Sequence, residues 1–593
     1  MTTRVPALGA SLLLCITVGL LGWSAAASGS AASAAAVKKP RPSPSPSPSP
    51  SPAPAATFIK AYAAQVNGTR LDLSPLDMQA TSDGGSIALA ETESPAGLGV
   101  DWLVKLSAAD VPQWQEQVGC ASPQGAPGDY ADGVSVQQTA DGGYVVAGGT
   151  IDCGSGSSCP PLSGRSCALV EKLDSAGRVT WAHAYAAGPD GSALQQIRQT
   201  ADGGYIAVGS FTDASQNTGA LLLKLDSAGN VQWQKDLGPA GSTGAYFNTV
   251  QQTADGGYVA AGAYYTPTSG PAPTQVLVAR FGADGSLAWQ HGFASLGSAG
   301  APTSVAVARS IIPTADGGYA VAGNWGNTTF NGGSGARGAL LLKLDASGTL
   351  QWRRAYSGGV YCFFNGFSET CTDIGAVGYS LHQTSDGGYV LAGDGDLELT
   401  DNAPIVPWLA KADANGNLLW QHFYYQTSTA GRPLSEDFQA SALAPSGGLL
   451  AAGPTLNYST QKNELYAVHT DAAGLAGTCS DIHPATSLQA IDPQLAAVAP
   501  GLPLGTAATQ AANSPIIATA TSISTQQDCC PCPEGRSRGP GRPAGGVTRS
   551  GRRPGAPGAA PRRRRRPRCA ARSCAWPAPG RWTAAGARTP VGR

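Results

Sequence analysis

Apolar and polar residues alternate in short runs between residues 57 and 479, and the runs keep a fixed order. QQTADGGYVVAG (137–148) sets a polar turn between two apolar stretches. It returns as RQTADGGYIAVG (198–209), QQTADGGYVAAG (251–262), IPTADGGYAVAG (312–323) and HQTSDGGYVLAG (382–393), with weaker copies QATSDGGSIALA (79–90) and LAPSGGLLAAG (443–453). A second phrase follows the first, as in LVEKLDSAGRVTWAHAY (169–185), LLLKLDSAGNVQWQKDL (221–237), LVARFGADGSLAWQHGF (277–293), LLLKLDASGTLQWRRAY (340–356) and WLAKADANGNLLWQHFY (408–424). A degraded copy, WLVKLSAADVPQWQEQV, occupies 102–118. Each unit predicts four β-strands: before Asp-Gly-Gly, from the following Tyr, along the run ending Lys-Leu-Asp, and around the Trp. Asp-Gly supplies the positive φ that a tight hairpin needs. Asp141, Asp202, Asp255, Asp316 and Asp386 therefore read as turn formers; calcium binding is the alternative, but no alternating-aspartate spacing accompanies them.

Seven copies, 53 to 70 residues apart, predict an all-β fold: a seven-bladed β-propeller of four-stranded antiparallel blades. A solenoid is the alternative, with repeats that are usually shorter. The last unit, LYAVHTDAAGLAGTC (465–479), lacks a Trp strand, whereas FIKAY (58–62) looks like an orphan one. Phe58 and Tyr62 repeat the spacing of Trp352 and Tyr356. Residues 58–62 are thus expected to complete the seventh blade and close the ring, leaving no bare sheet edge there. The glycine hairpins fall on one face. The long connections 149–166, 263–274, 324–337, 357–376 and 394–407 fall on the other, where variable loops on a rigid scaffold commonly bind.

At these two alternating signatures the chain resembles a family of bacterial secreted repeat proteins, taken for seven-bladed propellers of no established activity. The resemblance covers about 57–479 and implies fold and export, not a reaction. A more distant likeness is to the tryptophan-docking motif of quinoprotein propellers, which Asp226, Gly229, Trp233 and Gly238 fit with one residue too few between Asp and Gly. It implies that Trp114, Trp181, Trp233, Trp289, Trp352 and Trp420 pack between blades, and no cofactor. The adjacent cysteines of quinoprotein dehydrogenases have their only counterpart in Cys529-Cys530, outside the repeats. The T-x-D-x-G phrase is also similar to sialidase Asp-boxes, but the repeat region is too poor in arginine for a sialidase centre.

The flanks change the picture in three ways. Arg4, the apolar run 8–23 and Ala25-Ala26-Ala27 read as a signal peptide over 1–27, with an uncleaved anchor as the alternative. Cys15 does not suit lipid attachment, because Leu14 precedes it. Residues 28–56, rich in Ser-Pro, form a disordered, semi-rigid linker. Residues 480–530 form an Ala/Thr-rich extension, expected to carry one strand at 515–524 and to lie across the ring. Residues 531–593 read as a disordered Arg/Pro/Gly-rich tail, with alternate-frame translation as its suggested origin. That tail hides an acidic body: from residue 535 on there are 16 Arg and no acid, which leaves 22 Lys+Arg against 39 Asp+Glu, a net of −17. Such a surface repels phosphate and argues against nucleic acid. The expected protein is secreted or cell-surface, monomeric, and without a membrane span once the signal is cleaved.

Export favours disulfides over thiolate metal sites. Cys120, Cys153, Cys159 and Cys167 form one group, Cys362 and Cys371 a second, Cys479 and Cys529 a third. No H-E-x-x-H occurs, and the one G-x-S-x-G match lies in the tail. His183, His291 and His422 each follow a Trp by two residues, at equivalent points of separate blades, too far apart to share an ion. Asp394, Asp396, Glu398 and Asp401 read as a solvated acidic loop, with calcium as the alternative. No catalytic, metal or cofactor residue is assigned. The ligand-binding candidates are loop aromatics, Tyr264, Tyr265, Trp325, Tyr361, Phe363 and Phe364, with loop packing as the competing reading. The favoured function is non-catalytic binding of an extracellular carbohydrate or protein on the long-loop face; the alternative is a hydrolase or lyase at the central channel.

Overall fold

The computed structural model describes residues 57–66, 69–93, 99–120, 130–151, 166–188, 190–238, 244–265, 274–295, 304–327, 337–364, 369–396, 405–425, 437–444, 448–457 and 460–477, together with short strands between 482 and 529. All of these belong to the first of two units, 1–532; the second is 533–593. None of the described residues forms a helix long and apolar enough to cross a membrane.

The third repeat shows how sequence becomes sheet. Ser192–Gln199, Tyr205–Thr212, Thr218–Leu225 and Val231–Leu237 pair antiparallel in that order. Thr218–Leu225 reads TGALLLKL and is buried on both faces after its first residue, so it must lie between two other sheets. The turn after the innermost strand is fixed by Asp202: its Oδ1 accepts from Thr200 Oγ1 and, at 3.0 Å, from Gly204 N. Gly203 has φ 80°, which a side chain would strain. Asp202 also meets Lys224 Nζ, from the third strand, at 2.9 Å. The aspartate of the first signature and the lysine of the second are therefore ionic partners.

The same pair recurs as Asp83–Lys105, Asp141–Lys172, Asp255–Arg280, Asp316–Lys343 and Asp386–Lys411, at 2.5–3.0 Å. Burial works against ionising Asp202, but hydrogen bonds from Thr200, Lys224 and Gly204 outweigh it and hold its carboxyl at about 2.

Sheets join through the Trp. Trp233 lies against Gly285, the positive-φ glycine of the next sheet's second turn, and its ring is 5.8 Å from Tyr258 of that sheet's Asp-Gly-Gly-Tyr. Trp114, Trp181, Trp289 and Trp352 repeat the arrangement, and Trp420 contacts Gly474 in the same way. The tryptophans thus pack between sheets. Seven apolar clusters each span two neighbouring sheets, and one of them joins the seventh to the first.

The seventh sheet is composite. Phe58–Val66 pairs antiparallel with Lys462–His469, with Phe58 opposite His469 and Tyr62 opposite Leu465. The Tyr62 hydroxyl donates to Asp110 O of the first sheet at 3.0 Å. Tyr185, Tyr356 and Tyr424 make the same bond to Gly229, Gly416 and Gly474 of the sheets that follow them. Phe58 and Tyr62 pack with Leu73, Met78 and Trp102 of the first sheet. The seam is made by side chains and one backbone bond, Leu73 N to Asn463 O at 3.1 Å; no ladder runs from the seventh sheet into the first. Between the fifth and sixth repeats a ladder does continue, through the hairpin of Leu350–Phe364 and Glu369–Gln383.

Residues 480–530 depart from expectation. The strands described there run round the rim rather than across the ring, and there are seven of them rather than one. Ile482–Pro484, Gln489–Ile491, Leu495–Val498, Leu504–Gly505, Gln510–Asn513, Ile516–Ala520 and Ser522–Cys529 pair with the outer strands of the sixth, fifth, fourth, third, second, first and seventh sheets in turn. The strap satisfies backbone groups that an outer strand otherwise presents to solvent. Alternating small and polar residues carry little apolar periodicity, which hid these strands in the sequence.

Cys167 is buried and disulfide-bonded. Cys362 stands directly opposite Cys371 in the long hairpin, Cys120 opposite Ile516, and Cys529 opposite Ile59. Cys153, Cys159 and Cys479 lie outside the described residues.

Candidate functional site: the central channel

The innermost strands are Ser74–Ala80, Tyr130–Gln138, Ser192–Gln199, Ala245–Gln252, Ser304–Pro313, Glu369–Gln383 and Ala440–Leu443. All seven line one cavity of about 410 Å³. In the first six the register slips by one residue, at Leu76, Val134, Gln195, Asn248, Arg309 and Tyr379. A bulge leaves its extra residue out of the ladder and re-aims it; here each of the six lines the cavity. Gln439, just before Ala440, lines it in the seventh sheet.

After three of the bulges, the next residue ties sheet to sheet. Asp77 Oδ2 accepts from Val136 N at 2.9 Å, Gln196 Oε1 from Val250 N at 2.8 Å, and Thr249 Oγ1 from Ile311 N at 3.3 Å. Below them Gln137 Oε1 accepts from Gln199 N at 2.6 Å. At the glycine-turn face Gln138, Gln199, Gln252 and Gln383 accept from Ser82, Ala140, Ala201 and Ala315 in the preceding turns. Much of the polar lining is thus framework.

Charged groups sit on this framework unevenly. Arg198 lines the channel, and Nη1 donates to Ile197 O at 2.9 Å. Burial lowers its pKa, against the pull of Asp77. His382 Nε2 lies 2.9 Å from Ser441 O and 3.1 Å from Ser441 Oγ. Burial depresses the imidazole, Ser441 opposes that, and Arg198 adds to it, so the ring favours its neutral form. Arg309 is exposed and its guanidinium carbon stands 5.9 Å from the centre of the Tyr379 ring. The Tyr379 hydroxyl donates to Asp394 Oδ2 at 3.2 Å. Burial, then Asp394 and Asp437, push that phenol far up. Tyr246 is 6.2 Å from Tyr265, and burial and Tyr265 raise its pKa while Arg309 lowers it.

The loop aromatics are divided by this geometry. Tyr264 is 3% exposed and its ring lies against Gly292, so the apolar layer between two sheets occupies it. Tyr265 points the other way and is 36% exposed. Trp325 is half-buried against the cluster between the fourth and fifth sheets. Tyr361, Phe363 and Phe364 belong to the long hairpin; their side chains lie outside the description. Arg198, Arg309, Tyr246, Tyr379 and His382 were not singled out by the sequence. Four of them reach the channel: Arg309 and Tyr379 through their bulges, Arg198 and His382 from within the ladder.

Among the described residues no three His, Cys, Asp or Glu groups are placed to hold an ion. Asp394 accepts from Tyr379, and Asp396 Oδ2 accepts from Gly375 N at 3.0 Å; Glu398 and Asp401 lie outside the described residues. His183, His291 and His422 each lie against their own Trp at 5.0–5.4 Å, in separate junctions.

No family profile and no curated protein matches the chain. Solved structures do. A polysaccharide lyase of family PL25, an ulvan lyase bound to -[GlcA(1-4)Rha3S]-, is 10% identical, with 68% of this chain and 95% of that one covered and a TM-score of 0.36. A GH43_12 protein retrieved from capybara gut metagenome is 9% identical, with 70% and 99% covered and a TM-score of 0.21. The fold itself is all-β, built of four-stranded antiparallel sheets in a propeller.

Proposed function

We propose that this protein is an exported, saccharide-binding β-propeller that performs no chemistry, and that its ligand enters the central channel from the face of the long connections. The observation that supports this is the lining. Amides of Gln79, Gln195, Asn248 and Gln439, the Ser310 hydroxyl and two guanidinium groups surround about 410 Å³. Small-ligand sites span roughly 300–1,000 Å³. An amide offers both donor and acceptor, which matches the vicinal hydroxyls of a sugar. General acid–base catalysis needs a group within reach of the substrate and free to exchange its proton. Asp77 instead accepts from Met78 N, Gln79 Nε2 and Val136 N, and His382 is held by Ser441. The test is a panel of oligosaccharides titrated calorimetrically, run beside an assay for chain cleavage. Saturable binding without cleavage is expected. Cleavage reverses the reading in favour of an enzyme, and no binding by any saccharide removes it.

A further inference from the structure

The channel mouth is lopsided. Above the first, second and third sheets the bulge residues are Leu76, Val134 and Gln195; above the fourth, fifth and sixth they are Asn248, Arg309 and Tyr379. Tyr265, Tyr246, Arg309 and Tyr379 follow one another across these three neighbouring sheets. Tyr265 is exposed at the end of Tyr258–Tyr265, beside Ala245–Gln252, where strands of both kinds reach the long-connection face.

Arg309 differs from the other described arginines near it in sequence or space. Arg280 is locked to Asp255, and Arg198 is bonded to its own strand. Arg309 has no hydrogen bond or ion pair among the described residues; it rests only against the Tyr379 ring. A guanidinium presents five donors in a planar fork that matches a carboxylate or sulfate. The nearby carboxylates do not supply that match: Asp394 is taken by Tyr379, and Asp437 by Gln439. Those two acids would also oppose a second negative charge beyond Tyr379, so the site suits no more than one anionic group on each sugar ring.

Resting on the saccharide reading, we infer that the mouth over the fourth to sixth sheets takes an acidic sugar unit, with its ring against Tyr265 and its carboxylate or sulfate on Arg309. Carboxylate and sulfate share this chemistry and are told apart by the ligands used. The full chain is titrated with a carboxylated oligogalacturonide, a sulfated carrageenan oligosaccharide and a neutral cello-oligosaccharide of equal length. Either acidic ligand is expected to bind at least about tenfold more tightly than the neutral one, the scale of a charge-assisted hydrogen bond, with affinity falling as salt rises. Arg309→Gln should remove that preference, bringing the affinity of either acidic ligand down to that of the neutral one. Arg309→Lys should restore part of it, and Tyr265→Ala should weaken all ligands. Melting temperatures of the variants check that the fold is intact. Neutral and acidic ligands binding alike, or an acidic preference that survives Arg309→Gln, would overturn the inference while leaving saccharide binding standing. Absence of binding to all three overturns both.

Discussion

The third and seventh sheets follow one hydrogen-bonding plan and are held in different ways. In the third, Asp202 locks the turn and pairs with Lys224, and all four strands are consecutive. In the seventh, Ser446 stands in the aspartate's place in the sequence and His469 in the lysine's. His469 instead faces Asp110 of the first sheet, Nδ1 to Oδ2 3.8 Å. Its outer strand arrives from almost four hundred residues away in the chain. The ionic lock is therefore dispensable for making the sheet, while the apolar layers on both of its sides are not. A turn lock with its aspartate half-exposed adds about 1–2 kcal/mol to a strand pair already in place; burial of large side chains decides whether that pair forms.

The largest expected effect is at the composite strand. A chain beginning at Asp72 loses Phe58, Ile59 and Tyr62, each essentially buried. At about 1.5–3 kcal/mol per large apolar side chain, the loss approaches the whole stability of an ordinary domain. That chain should aggregate or melt far lower than one beginning at Ala56. Equal melting temperatures would mean the seventh sheet stands without its N-terminal strand.

Asp202→Ala in the third sheet should cost about 2 kcal/mol: the turn loses its carboxylate acceptor and buried Lys224 keeps only Leu225 O, while the half-exposed position of Asp202 limits the ion pair's share. Denaturant unfolding measures this. The sign with pH follows from the depressed carboxyl, held at about 2: its contribution is complete above the unfolded value near 4 and is lost as pH falls toward 2. Asp202→Ala should therefore shed most of its deficit below that range. A deficit independent of pH would assign the effect to turn geometry alone.

Glu171 sharpens the contrast from the opposite side. It occupies, in the second sheet, the position of Leu223 in the third, fully buried and without a hydrogen-bond partner among the described residues. Burial pushes its carboxyl up to about 8. Below about pH 4.5 it is protonated folded and unfolded alike; as pH rises toward 8 the unfolded chain ionises first, and stability falls. Glu171→Leu should stabilise by about 2–3 kcal/mol at pH 8 and by much less at pH 4. Equal gains at both values would show that shape, not charge, sets the effect.

The smallest expected change concerns the fourth junction. The glutamine clasps of the glycine-turn face have no counterpart where the fifth repeat carries Pro313. Pro313→Gln supplies the missing acceptor for the preceding turn and should gain about 0.5–1 kcal/mol. A destabilised variant would show that the exposed proline is held for its backbone.

Much of this architecture is legible in the residues. Asp-Gly-Gly-Tyr and Lys-Leu-Asp each specify a turn through local chemistry, so strand order and sheet number follow from spacing. The spacing of Phe58 and Tyr62 foretold their place beside Lys462–His469 because it copies that of Trp181 and Tyr185. The candidate site was less legible. Loop aromatics were favoured because loops vary, yet Tyr264 and Tyr265, adjacent in sequence, point to opposite faces of one strand, and only packing tells which is core.

The sequence by itself determined the repeat, its turns, the docking tryptophans and the composite sheet, since each depends on residues a few positions apart or on a pattern repeated along the chain. Tertiary structure alone decided three things. It joined the aspartate of one signature to the lysine or arginine of the other, because their separation of 22 to 31 residues becomes adjacency only across a sheet. It wound 480–530 round the rim, because backbone pairing to an open edge needs no side-chain pattern. And it brought Arg309 and Tyr379 to one channel mouth, because a one-residue bulge turns a side chain from the ladder to the channel while leaving no mark in the sequence.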